Sequence, residues 1–189
     1  MKKALLFVLA LIAVGCADPI PRNLDDLSMQ GPQYLDPETL EPYSGPAFRL
    51  SEDDSRELVL RVNLRDGRFQ GDFEVFYPSG VFGGRGTYEN GLAEGPYESY
   101  YENGELRTKI NYTAGELDGP FEAYHENGQL QETSNFTAGE LGGPFESYNE
   151  NGQLEYRGTV DMGNRCGEWI VDGEARTYDP CPPNLADGN

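Results

Sequence analysis

The chain has 189 residues, with 33 acidic against 14 basic side chains, a formal charge of −19 and a hydrophobic fraction of 37%. That acidity argues against binding a nucleic-acid backbone, which needs a basic face, and against contact with anionic lipid head groups. One histidine and three cysteines leave little material for nucleophilic or metal chemistry.

Met1-Lys2-Lys3 followed by the apolar run Ala4 to Val14 predicts a secretory signal peptide over residues 1–15, with small residues before the cut. The run is too short for a membrane-spanning helix. Ala13-Val14-Gly15-Cys16 resembles the bacterial lipobox, which implies lipidation of Cys16 as the first residue of the mature chain. Loss of the leader leaves 12 basic against 33 acidic groups, a charge of −21. Residues 16–44 carry Pro19, Pro21, Pro32, Pro37 and Pro42 with little periodicity, and read as a partly extended, lipid-anchored tether.

From residue 45 a unit of 24 residues organises the chain. Its opening glycine stands at Gly71, Gly95, Gly119, Gly143 and Gly167, and its closing turn glycine at Gly67, Gly91, Gly115, Gly139 and Gly163. A fixed period of this length marks a repeat array whose units bury apolar surface against their neighbours. Residues 47–50 and 57–64 read as a degenerate first hairpin with an acidic turn over Ser51 to Ser55. Four regular units start at 71, 95, 119 and 143, and a partial one starts at Gly167. The repeat domain is expected over 45–178, with 179–189 a tail that Pro180, Pro182 and Pro183 keep out of a central strand.

Within each unit Asn103-Gly104, Asn127-Gly128 or Asn151-Gly152 lies between two strand-like runs, the signal of a hairpin with a two-residue type I′ turn. Counting back from that turn puts Glu146 opposite Arg157, Glu98 opposite Lys109, Glu74 opposite Arg85 and Glu122 opposite Thr133. Alternation then gives one apolar face, with Phe73, Tyr77, Phe82, Tyr97, Leu106, Phe121, Leu130, Phe145 and Leu154. The other face is charged, with one aromatic per unit in a single column: Phe76, Tyr100, Tyr124 and Tyr148. These four, with Glu98, Glu122 and Glu146, are the candidate binding residues. Tyrosine is over-represented in interface anchors.

Trp169 falls in the column of Phe145 and is expected to close the last apolar layer. Cys166 and Cys181 are the two thiols that remain after lipidation of Cys16, and an even count in an exported chain predicts a disulfide between them. His125 stands in the column of Tyr77 and Tyr101, where it reads as a repeat variation. No nucleophile elbow, HExxH or phosphate-binding loop occurs. The expectation is a chain that is not an enzyme and has no catalytic residue, metal or cofactor.

The pattern Gly-x-[Phe/Tyr]-Glu-x-Tyr-x-x-Asn-Gly-x-Leu, followed by an aromatic and then a glycine three residues later, resembles the bacterial variant of the MORN repeat. Here it stands as Gly95-Pro-Tyr-Glu-Ser-Tyr-Tyr-Glu-Asn-Gly-Glu-Leu106 with Tyr112 and Gly115, and again from 119 and 143. The resemblance covers residues 45–172. It implies an all-β fold, a repeat array of antiparallel β-hairpins forming one elongated twisted meander sheet. Many bacterial members resemble proteins labelled YwqK-type antitoxins, and MORN repeats elsewhere are credited with scaffolding.

Together these features predict an exported repeat lipoprotein at a bacterial envelope, lipid-anchored and facing the periplasm, that binds or scaffolds an unidentified envelope protein. Two alternatives stay open: an antitoxin or immunity protein, and a cell-wall glycan binder whose aromatics recur every ~10 Å. Nucleic acid is not an expected partner, and membrane contact is expected through the lipid anchor alone. Self-association is one way to keep the apolar face dry.

Overall fold

A computed structural model describes residues 19–53 and 56–182. The leader, Cys16 and Pro183 lie outside the described residues. The chain forms one open sheet of 16 strands in which each hairpin pairs with the next in sequence order. The six hairpins are Gly45–Leu50 with Leu58–Arg65, Gly71–Phe76 with Phe82–Glu89, Leu92–Tyr100 with Leu106–Thr113, Gly119–Tyr124 with Leu130–Thr137, Gly143–Tyr148 with Leu154–Asp161, and Asn164–Val171 with Glu174–Thr177. The end of the array is therefore a full hairpin where a partial unit from Gly167 was expected.

The turns differ from expectation, and backbone angles say why. A type I′ turn needs positive φ at both central residues. That condition is met between hairpins, at Asp66-Gly67, Asn90-Gly91, Ala114-Gly115, Ala138-Gly139 and Met162-Gly163, and again at Asp172-Gly173. Asn103, Asn127 and Asn151 keep negative φ, and only the following glycine is left-handed. Their loops close through Gly152 N–H to Asn149 C=O at 2.9 Å and Asn149 N–H to Gln153 C=O at 3.0 Å, with the same pair of bonds in the other units. This is a three-residue loop, a type I turn followed by glycine as a one-residue bulge.

The asparagine serves hydrogen bonding in place of left-handed geometry. Asn127 Oδ1 accepts from Gln129 N–H at 3.0 Å, while its Nδ2 donates to Glu150 C=O in the next unit at 2.8 Å. Asn103 does the same with Glu105 and Glu126. A second bond of the same span runs from Tyr77 Oη to Tyr100 C=O at 2.7 Å and from Tyr101 Oη to Tyr124 C=O at 2.8 Å. His125 Nε2 takes that place at 2.8 Å from Tyr148 C=O, so the histidine replaces a tyrosine hydroxyl in the ladder. At the opposite end, turns are joined to one another, as in Gly115 N–H to Ala93 C=O at 2.9 Å and Gly139 N–H to Leu117 C=O at 2.8 Å.

The opening glycines sit in bulges between hairpins. Asp118 bonds Asn111 and Glu122 pairs with Lys109, so Gly119, Pro120 and Phe121 stand opposite the single residue Ile110. Gly119 has φ 108°, and proline is tolerated where the ladder is already interrupted.

One face carries the two buried clusters. At the N-terminal end Leu24, Leu27, Ala47, Val62, Leu64 and Phe73 pack together, with Tyr34 stacked on Phe69 at 5.4 Å. Residues 19–44 are thus not the extended tether expected from their prolines. Arg22–Asn23 adds a short parallel strand beside Gly45–Leu50, and Ser28–Gln30 pairs with Gln33–Leu35. Leu24 is 2% exposed and Leu27 8%. The first hairpin lacks a preceding unit, and this segment supplies the apolar cover that a neighbour gives elsewhere.

At the other end Trp169 is 2% exposed among Val160, Val171, Phe145 and Tyr156. Its indole lies on Gly158, where an added Cβ would stand 2.2 Å from the ring. The indole Nε1 donates to Thr159 and Cys166 carbonyls, each at 3.0 Å. Arg165 lies over Trp169, 4.6 Å from the centroid, and Tyr178 packs against its edge. The Cys166–Cys181 disulfide is present and fastens the segment after Thr177 to strand Asn164–Val171, alongside bonds between Gly167 and both Tyr178 and Asp179. For a loop of this length a disulfide contributes about 3 kcal/mol in the chain-entropy model.

Candidate functional site

The face opposite the buried clusters is built from two rows that cross the strands. The first runs Arg61, Glu74, Arg85, Glu98, Lys109, Glu122, Thr133, Glu146, Arg157, each paired with the next in the sheet. Signs alternate along it except at Thr133. All four expected cross-strand pairs are found. Because every interior residue has two neighbours, however, the carboxylates choose between them. Arg85 Nη2 bonds Glu98 across the hairpin boundary at 2.7 Å, Arg61 bonds Glu74 at 2.5 Å, and Arg157 Nε bonds Glu146 within its hairpin at 2.6 Å.

The second row carries the predicted aromatic column. Each tyrosine donates its hydroxyl to the carboxylate two residues earlier: Tyr100 to Glu98 at 2.9 Å, Tyr124 to Glu122 at 2.8 Å, and Tyr148 to Glu146. Such bonds are the geometry of side chains on one face of a strand. They leave their mark on acidity. The Arg85 guanidinium, then the Tyr100 hydroxyl, hold the Glu98 carboxyl below its ordinary value. The Tyr148 hydroxyl, with Arg157 assisting, does the same for Glu146, and the Glu146 bond in turn raises the Tyr148 phenol. Burial leads the upward shifts of Tyr100 and Tyr124, with the carboxylate bond second.

Four residues of this row were placed on the wrong face by sequence counting. Tyr148 pairs directly with Leu154, Tyr124 with Leu130, Tyr100 with Leu106 and Phe76 with Phe82. Directly opposed residues share a face. Phe82 contacts both Phe76 and Tyr100, with centroids at 5.9 and 5.4 Å. Phe82, Leu106, Leu130 and Leu154 therefore join the aromatic column and leave the apolar face to which they were assigned. The glycine bulge at the loop shifts the register by one, and a second bulge, at Glu155 in the last regular unit, restores it. Glutamates further from the loop keep their expected partners, while leucines between the two bulges change side.

The result is a continuous stripe of Phe76, Phe82, Tyr100, Leu106, Tyr124, Leu130, Tyr148 and Leu154, half-buried throughout. The ion-pair row borders it on one side. On the other lie the exposed loop acids Glu102, Glu105, Glu126 and Glu150. A concavity of about 490 Å³ opens on the ion-pair row around Asp72, Glu74, Arg85, Thr87 and Glu98. Among the described residues no group of three or more His, Cys, Asp or Glu side chains is arranged to hold a metal ion. His125 is engaged with the main chain, and the two described cysteines are bonded to each other.

Comparison with known proteins bears on these units directly. A family described as "MORN repeat variant" matches at residues 93–114, 117–138 and 141–161. No curated protein matches the chain. Among solved structures, one described as "Crystal structure of accessory secretory protein 1,2 and 3 in Streptococcus pneumoniae" aligns at 14% identity with a TM-score of 0.20. The alignment covers 78% of this chain and 23% of that one, so the chain spans under a quarter of its length. The three family matches follow the 24-residue period and fall on three consecutive hairpin units, and they support a MORN-repeat protein.

Proposed function

We propose that this chain is a non-catalytic binding or scaffolding repeat protein that meets another protein through the face carrying Phe76, Tyr100, Tyr124 and Tyr148. In this reading it is exported, and Cys16 carries a lipid that holds it on the periplasmic side of a bacterial envelope. One observation carries the proposal: the apolar stripe lies on the face away from both buried clusters, bordered by exposed ion pairs. A tyrosine-rich centre with a charged rim is the composition of a protein interface. The hydroxyl-to-carboxylate bonds hold the tyrosines in place before a partner arrives, which reduces the ordering cost of binding.

Crosslinked capture from native envelopes, comparing wild type with Tyr100→Ala/Tyr124→Ala/Tyr148→Ala, tests the proposal once both are shown to fold and localise alike. Loss of one specific protein from the variant supports it. Recovery of identical proteins assigns the column a structural role and removes the interface. Cys16→Ala tests the anchor, since it is expected to abolish labelling by a radiolabelled fatty acid and release the protein from membranes.

A further inference from the structure

We infer that the stripe is a seat for an amphipathic basic helix of the partner protein, lying across the strands with about one heptad per hairpin. This rests on the reading above that this face binds protein, and it adds the chemistry and shape of what is bound.

The spacing comes first. From Tyr100 to Leu154 the stripe crosses six consecutive strands as Tyr100, Leu106, Tyr124, Leu130, Tyr148 and Leu154. At about 4.8 Å per strand the tyrosines recur every ~9.6 Å, and the stripe is ~24 Å long. Seven residues of α-helix advance about 10.5 Å, so a helix with apolar residues every three and four positions meets one tyrosine and one leucine per heptad. A β-strand presents side chains to one face every ~6.6 Å, out of step with this period.

Charge supplies the second constraint. On the loop side the stripe is bordered by Glu102, Glu105, Glu126 and Glu150, all exposed. On the other side, Thr133 stands between Glu122 and Glu146 where alternation calls for a cation. Arg85 fills the corresponding place between Glu74 and Glu98. A docked helix with arginine or lysine on both flanks of its apolar stripe meets the loop acids on one side and, on the other, the gap at Thr133 between Glu122 and Glu146, with Lys109 and Arg157 holding the cationic places beyond it. The stripe itself, aromatic and aliphatic and half-buried, accepts its leucines.

The test uses the full mature chain and three synthetic peptides, with binding read by fluorescence anisotropy. The first is a helix-stabilised 18-residue peptide with leucines at heptad spacing and arginines flanking them. The second carries glutamate for each arginine. The third places leucine at every third position of a proline-rich sequence, which gives a similar ~9.3 Å repeat without a helix. The basic helix is expected to bind, to weaken with added salt, and to exceed the other two by about tenfold or more. In Glu126→Lys/Glu150→Lys, whose changes lie in exposed loops, preference is expected to shift from the basic to the acidic helix. Equal binding of the acidic helix to wild type, stronger binding of the proline-rich peptide, unchanged preference in the lysine variant, or no binding of the basic helix would each overturn the inference. Failure here, with a partner still lost from the triple tyrosine variant, leaves the protein-binding face in place and removes only the helix.

Discussion

Replacing Ala138 by glycine is expected to stabilise the protein, the reverse of what this change does in an ordinary strand or helix. Ala138 has φ 48° and Gly139 φ 81°, the paired left-handed geometry of a type I′ turn. An L-residue in that region costs roughly 1–2 kcal/mol. Glycine removes that cost but widens the unfolded ensemble, an opposing term of about 0.5–1 kcal/mol. The balance is a gain of about 0.5–1 kcal/mol. Ala114 has φ 51° in the preceding turn, and Ala114→Gly/Ala138→Gly should approach twice that value. For a chain of this size each kcal/mol raises Tm by about 2–4 °C. Urea unfolding followed by far-UV circular dichroism, with Trp169 fluorescence as a second probe, measures the change. A loss of stability in either single variant would show that these turns are not left-handed and that the assignment of turn types is wrong.

Other expectations follow from contacts at single residues. Gly158→Ala should cost about 1–3 kcal/mol and red-shift Trp169 fluorescence, because the new methyl would occupy the indole's place at 2.2 Å; an unshifted spectrum would contradict that packing. His125→Phe should lose about 1 kcal/mol through its bond to Tyr148 C=O, while His125→Tyr restores the ladder seen at Tyr77 and Tyr101 and should match wild type in urea. Glu98 and Glu146 have pKa values held below the ordinary 4.5 in the fold, so their contribution is present above that ordinary value and is lost as pH falls through the lower folded values. Tyr148 is raised, so its contribution is present below 10.0 and is lost as pH climbs through the higher folded value. Stability against pH should therefore fall at both ends, and Tyr148→Phe should flatten both limbs; superimposable profiles would deny the Tyr148–Glu146 coupling.

Much of this molecule is legible in its residues because a repeat aligns itself. The glycine period gives the unit, and the glutamate row gives the register, since Glu146 does stand opposite Arg157 and Glu122 opposite Thr133. What counting could not give is the pair of bulges that cancel. With a two-residue loop the leucines fall on the apolar face. With a three-residue loop and a second bulge at Glu155 they fall beside the tyrosines, and every glutamate keeps its partner. The register therefore looked self-consistent from sequence while half of the stripe stood on the wrong side.

Asn-Gly misled for a related reason. The dipeptide is the strongest sign of a type I′ turn, yet here asparagine is held by bonds to the next unit. Of the true type I′ turns, Asn90-Gly91, Asp66-Gly67 and Asp172-Gly173 carry that sign or its Asp-Gly relative, whereas Ala114-Gly115, Ala138-Gly139 and Met162-Gly163 carry none. Residues 19–44 hid their fold because Leu24, Leu27 and Leu35 follow no period; they cover the end of an array and repeat nothing.

Site-specific photocrosslinking in native envelopes separates the two faces most directly. A crosslinking side chain is placed in turn at Leu130, on the tyrosine stripe, and at Phe136, on the opposite face against Phe121. A partner protein captured from position 130 and not from position 136 is the predicted result. Capture from position 136 alone would place the interface on the apolar face and contradict the assignment of the stripe as the binding surface.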